Sequence, residues 1–160
     1  MKISYESIGI INTPFTKLDD MPIQPTSDKS GSGYVEIFPE FVEALKDLEG
    51  FSHIYLLYHF HKIGQVKLTV TPFLDKDPRG IFATRAPSRP NPIGISLVEL
   101  VRVENNLVHV DRVDVLNGTP LLDIKPYVPG FDIRKVSKIG WMEKKIKNLA
   151  EVQDDGRFVE

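Results

Sequence analysis

Hydrophobic residues along this chain come in short runs that proline or glycine interrupts at close intervals. Residues 7–11 read as a β-branched strand, and residues 13–33 as a long irregular stretch with Pro14, Pro22, Pro25 and Gly31-Ser32-Gly33. A loop of that length inside a compact domain is more often functional than a plain connection. A second strand is expected over residues 34–38. Pro39 then stands where a first helical turn tolerates proline, and Phe41, Leu45 and Leu48 at i, i+4, i+7 predict one short amphipathic helix ending at Gly50. Residues 52–60 and 66–72, rich in aromatic and β-branched side chains, both read as strands.

Residues 93–103 and 107–115 form two more runs around Glu104-Asn105-Asn106, whose asparagines suit a tight antiparallel hairpin. In the second run Val108 and Val110 share one face while Val113 and Val115 take the opposite parity, which predicts a bulge at Asp111-Arg112 that re-aims Asp114. Residues 121–127 make a last strand, and residues 141–150 a closing helix before a polar tail. Seven or so short strands with two helices predict a mainly β fold, an antiparallel barrel or closed sheet. One barrel domain is expected over residues 5–140, with the helix and tail at 141–160.

Composition narrows the chemistry. The 160 residues contain no cysteine, which removes disulfide, thiolate and cysteine-ligated metal options. The longest apolar run, Ile54–Tyr58, is far too short to cross a bilayer, and the first ten residues lack an apolar signal core, so a cytoplasmic setting is the expectation. Gly31-Ser32-Gly33 lacks the third glycine and following helix of a dinucleotide loop. His53, His59 and His61 share one strand face by parity, but strand rise spreads them too far for one ion, and no metal is expected.

Two segments concentrate candidate chemistry. Residues 80–94 hold Arg85, Arg89 and Asn91 among three closely spaced prolines, a stiff frame for guanidinium groups suited to carboxylate, phosphate or a base edge. The plainer reading is a rigid connection whose arginines pair with nearby acids. Residues 114–127 hold the Asn117-Gly118 turn signal, with Asp123 and Lys125 on one strand face. A hairpin with a cross-strand ion pair would explain them. Spacing alone goes no further.

The combination of Ile8-Gly9, Pro14-Phe15, Pro22-Ile-Gln24-Pro25, residues 48–53, the block from Phe82-Ala-Thr-Arg85 to Ser96, and Asn117-Gly-Thr-Pro120 through Tyr127 resembles the TsaA-like (YaeB/TrmO) family over residues 6–140. That resemblance implies a single-sheeted β-barrel that binds S-adenosylmethionine, commonly as a homodimer with the cofactor near the interface. It also implies methyl transfer to N6 of threonylcarbamoyladenosine beside the tRNA anticodon. Carried over by position, it implies cofactor contacts from Gln24, Pro25, His61, Lys62, Arg85, Leu97, Asp114, Val115, Leu116 and Asn117. His61 and Asp114 become candidate proton acceptors, and Arg89, Asn91, Lys125 and Tyr127 candidate substrate contacts. Asn117 stands where many relatives carry Asp. Alternatives are a cofactor- or RNA-binding barrel without transfer, and a methyltransferase for another nucleoside or a small molecule.

The formal charge of −2 conceals an uneven distribution. Residues 79–102 carry Arg79, Arg85, Arg89 and Arg102 against Glu99, and residues 134–147 carry six basic residues against Glu143. A basic stripe of this size predicts weak, salt-sensitive binding to tRNA.

Overall fold

The computed structural model describes residues 1–18, 31–73 and 75–143. Its strands are β1 (Gly9–Asn12), β2 (Gly31–Ile37), β3 (His53–His59), β4 (Thr69–Val70), β5 (Arg79–Gly80), β6 (Ile93–Glu104), β7 (Leu107–Val113) and β8 (Thr119–Pro126). Six of them close an antiparallel barrel in the order β1-β2-β7-β6-β3-β8, the mainly β architecture expected from the sequence. Closure pairs each of these six strands on both sides, which removes the aggregation hazard of an open sheet edge from the barrel.

Alternation of side chains fills the interior. Ile54, Leu56 and Tyr58 of β3 face inward, as do Val98 of β6 and Val108 and Val110 of β7, all at most 5% exposed. Each such aliphatic side chain contributes about 1.5–3 kcal/mol on leaving water. The β6–β7 hairpin forms as expected, with Asn105 left-handed at φ 55°. The bulge also forms. Gly31 pairs with Val113 and Gly33 with Val110, so β7 carries the extra residue, and Arg112 adopts φ 59° to absorb it. This lets Val110 and Val113 both point into the core.

Several expectations are corrected. Residues 66–72 do not form a barrel strand. Six strands already close the barrel, Pro72 lacks a donor, and only Thr69–Val70 pairs, with Arg79–Gly80 outside the barrel. Val66 and Leu68 are exposed, while Val70 packs on Ile81 in a small separate cluster. The segment after Pro39 is 3-10 rather than α, in two pieces (Pro39–Leu45 and Leu48–Gly50) broken where Asp47 turns to φ 66°. Gly31–Gly33 belongs to β2 instead of the preceding loop. Asn117-Gly118 is not a hairpin turn, because β7 pairs with β2 and β8 with β1 and β3; Gly118, at φ 78°, serves a crossing connection. One short helical turn, α1 (Pro129–Asp132), follows β8. Of the helix expected over 141–150, Gly140–Met142 forms a 3-10 turn, and residues 144–150 lie outside the described residues, as does the tail.

Candidate functional site

The connection from β7 to β8 is stitched to the segment that follows β1. The Thr13 hydroxyl donates to the Val115 carbonyl at 2.8 Å, and the Thr13 amide donates to Asn117 Oδ1 at 3.0 Å. The Asn117 amide donates to the Phe15 carbonyl and the Gly118 amide to Ile11. Asn117 therefore acts here as an acceptor, a task that needs no negative charge. These bonds hold Leu116 opposite the chain leaving β3. Thr16, Leu18, His61, Lys62, Ile63 and Leu116 line a pocket of about 450 Å³, within the size range of sites for drug-sized ligands.

Three of the sequence-predicted residues, His61, Lys62 and Leu116, meet in this pocket. His61 lies just past the end of β3, so it does not share a strand face with His53 and His59. Its Nδ1 is 3.4 Å from Thr119 Oγ1, whose own proton goes to the Leu116 carbonyl at 2.7 Å. Thr119 can then only accept from Nδ1, and the ring also bonds the His59 backbone. Burial holds the His61 pKa below its ordinary value, helped by Lys62 and His59, so the ring is neutral at pH 7. Among the described residues, no group of three His, Cys, Asp or Glu side chains is placed to hold a metal ion.

Asp114 stands one residue past β7. Its Oδ1 accepts from Ser96 Oγ at 2.5 Å, and Ser96 Oγ is 3.0 Å from the hydroxyl of buried Tyr58. Burial pushes the Asp114 carboxyl up to about 6, against the opposing effects of the Ser96 bond, a bond from its own backbone amide and the Arg85 charge. Sequence reasoning singled out Asp114 but missed Ser96 and Tyr58. The signal for Ser96 is its position: it falls on the inward row of β6 with Gly94, Val98 and Leu100, where a polar residue needs a buried partner.

The arginines divide. Arg89 turns onto its own loop, its Nη1 donating to the Thr84 carbonyl at 2.8 Å and lying 3.4 Å from the carbonyls of Ile81 and Ala86. Arg79 pairs with buried Asp75 at 2.7 Å and sits over the Trp141 ring. Arg102 lies 3.7 Å from Glu104 at the surface. Arg85 is exposed, and its charge acts on Tyr55, Tyr58 and Asp114. The basic stripe expected over residues 79–102 thus offers chiefly Arg85.

The other candidates fall elsewhere. Val115 is buried with its carbonyl on Thr13, and Asn91 is exposed in the loop before β6. Leu97 pairs across β3 with Tyr55, and Tyr55 pairs on its other side with Lys125. Tyr127 meets the Tyr55 ring edge-on at 5.8 Å, and Lys125 bonds Asp123 at 2.8 Å along the same strand rather than across strands. Leu97, Lys125 and Tyr127 thus gather around Tyr55 in β3, and none of them lines the pocket. Gln24 and Pro25 lie outside the described residues.

Comparison with known proteins adds a family to this geometry. The model of the tRNA-methyltransferase O N-terminal domain matches residues 10–133. A Pyrococcus abyssi protein named a probable S-adenosyl-L-methionine-binding protein is 54% identical, covering 99% of this chain and 86% of its own length. An Escherichia coli protein named tRNA (adenine(37)-N6)-methyltransferase is 39% identical over 78% of this chain and 57% of its own. The crystal structure of TrmO from Pseudomonas aeruginosa superimposes with a TM-score of 0.71 at 38% identity, covering 88% of this chain and 63% of that one. The chain thus spans somewhat under two thirds of the length of these last two relatives.

Proposed function

The chain belongs to the tRNA-methyltransferase O N-terminal domain family, and from that premise we propose that it is an S-adenosylmethionine-dependent methyltransferase acting on N6 of adenosine in tRNA, with threonylcarbamoyladenosine at position 37 as acceptor. The observation that carries this reading is the meeting of His61, Lys62 and Leu116 in one pocket beside the 114–119 connection. Its donor set suits the cofactor. Leu18, Ile63 and Leu116 provide apolar contact for a nucleoside, Lys62 offers a cation to a carboxylate, and neutral His61 does not repel a sulfonium.

The cofactor supplies a methyl carbon on positively charged sulfur, open to in-line attack by a nitrogen lone pair. The chain's residues then have two tasks. One is positioning, which can supply most of the rate. Backbone groups of residues 115–117 and the Arg85 guanidinium are the candidates, with Gln24 and Pro25, outside the described residues, added by the family resemblance. The second is to accept the N6 proton. The neutral His61 imidazole and the Asp114 carboxylate are both proton acceptors near neutral pH, as a general base requires. Arg89 holds its loop, so contact with RNA in this reading comes from Arg85 and Asn91.

Leu97, Lys125 and Tyr127 serve the same reaction if a second copy brings its outer wall to the pocket. Ile95 and Val101, about half exposed on β6, give that wall an apolar face, which supports a homodimer in this reading. A tRNA substrate implies a cytoplasmic setting. Mass spectrometry of nucleosides from tRNA, threonylcarbamoylated or not, after incubation with labelled cofactor tests the reading. Labelled N6-methyl-threonylcarbamoyladenosine is expected; its absence, with label elsewhere or nowhere, overturns the acceptor. The names of archaeal relatives favour one second reading, binding without transfer. It predicts stabilisation by the cofactor, about 2.7 kcal/mol at a hundredfold excess over Kd, and no labelled product.

A further inference from the structure

The barrel interior contains a polar chain that the pocket does not explain. β3 turns Tyr58 inward and β6 turns Ser96 inward, at 5% and 2% exposure. Their hydroxyls lie 3.0 Å apart, and Ser96 continues to Asp114 Oδ1. The direction of this chain follows from proton counting. An ionised carboxylate only accepts, so the single Ser96 proton goes to Asp114, and Ser96 must accept from Tyr58. Burial pushes the Tyr58 hydroxyl far above its ordinary range, so it keeps its proton and remains a donor. The fold makes room for the arrangement. Gly94 shares the inward row with Ser96, and a methyl group there would overlap the Tyr58 ring.

We propose that Ser96, held in turn by Tyr58, is a positioning residue that aims the Asp114 carboxylate at the acceptor nitrogen of methyl transfer. The identity of that nitrogen rests on the function proposed above, whereas the hydrogen-bonded chain is a property of the protein alone. In the step served, the N6 lone pair forms the bond to the methyl carbon and the C–S bond breaks with its pair on sulfur. The N6 proton passes to Asp114 Oδ2 while Oδ1 stays on Ser96. The groups acting on Asp114 are Ser96 from β6, its own backbone amide, Tyr58 from β3 and Arg85 from the loop before β6. Ser96, the Asp114 amide and Arg85 favour the ionised form, and burial opposes it.

Carboxyl-labelled aspartate, with the Asp114 resonance assigned by its loss in Asp114→Asn, allows the titration to be followed by carbon NMR in the full chain without cofactor. The wild-type midpoint is expected at about 6. Ser96→Ala removes a bond to the charged form and raises the midpoint by about one pH unit; Tyr58→Phe raises it by less. The acid limb of the transfer rate moves with the midpoint, KM for the cofactor stays within about twofold, and Ser96→Thr, which keeps the hydroxyl, restores both. An unmoved midpoint in folded Ser96→Ala and Tyr58→Phe overturns the proposal, as does a displaced midpoint with an unmoved acid limb. If Ser96→Ala does not fold, Tyr58→Phe alone decides by the same two readings. Absence of methyl transfer in the wild type removes the proposed function and with it the positioning role, while the titration still reports whether the hydroxyl chain controls Asp114.

Discussion

The loop between β5 and β6 and the connection between β7 and β8 carry similar densities of polar groups, yet they turn them in opposite directions. In the first, Arg89 caps the carbonyls of its own loop, and Trp141 fixes the same loop by donating to the Ala83 carbonyl at 2.8 Å. Its polarity is largely consumed in holding the loop's shape, and Arg85 is left pointing outward. In the second, backbone and Asn117 bonds to residues 11–15 hold the chain. That frees Leu116 for the pocket and turns the Asp114 carboxyl toward the barrel interior. A dense run of arginines signals structure as readily as ligand binding; a single acid that burial raises toward neutral pH while a buried hydroxyl bonds it is the more specific mark of chemistry.

The largest expected effect tests the second region. Asp114→Asn removes a proton acceptor and should lower the transfer rate about 10²- to 10⁴-fold with cofactor binding retained. Stability should move the other way. The folded-state pKa of about 6 lies above the 3.8 reference, so folding favours the protonated acid. That favourable contribution is complete below about pH 3.8 and is lost as pH rises through about 6. At pH 7.5 the ionised group costs about 3 kcal/mol relative to its neutral form, and Asparagine at 114 should therefore raise the melting temperature there. At pH 4 the gain should vanish. Thermal melts at both pH values check this, and a lower melting temperature at pH 7.5 would show that the carboxylate stabilises the fold instead.

The two arginines of the first region should separate next. Arg89→Ala loses charge-assisted bonds to carbonyls and should destabilise the chain by about 1.5–3 kcal/mol in urea denaturation. Arg85→Ala should change stability by no more than about 0.5 kcal/mol, being exposed and without a hydrogen bond or ion pair to another described residue. It should weaken tRNA binding and flatten the salt dependence by about one phosphate contact. A reversal, with Arg89→Ala harmless and Arg85→Ala unfolding the loop, would undo the contrast.

The barrel was legible because alternation reports which face is buried, and the β7 bulge was legible because Val110 and Val113 break parity while both stay apolar. The same alternation misled at residues 66–72. Val66, Leu68 and Val70 repeat like a strand, but parity says nothing about where a partner strand lies, and here the barrel closed without this segment, leaving only the short β4–β5 pair outside it. The pocket was visible only through family resemblance, since residues 16–18, 61–63 and 116 are brought together by a crossing connection that Asn117-Gly118 disguised as a hairpin. Tyr58, Ser96 and Asp114 come from three separate elements, so no local spacing could join them. Apart from Asp114 itself, their trace was a serine on an otherwise apolar inward row.

The smallest expected effect concerns what holds the second region in place. Asn117 Oδ1 accepts from the Thr13 amide at 3.0 Å, an exposed bond of the kind that contributes about 0.5–1.5 kcal/mol net. Asn117→Ala should therefore cost about 0.5 kcal/mol, toward the low end because water can replace the lost partner. Asn117→Asp keeps the oxygen acceptor and should leave stability within about 0.5 kcal/mol. The two variants should part on cofactor affinity measured by calorimetry. Alanine loosens the wall that carries Leu116 and weakens binding, whereas aspartate retains the wall. Equal weakening by both would mean that the Asn117 amide nitrogen, not the Thr13 bond, is what the pocket uses.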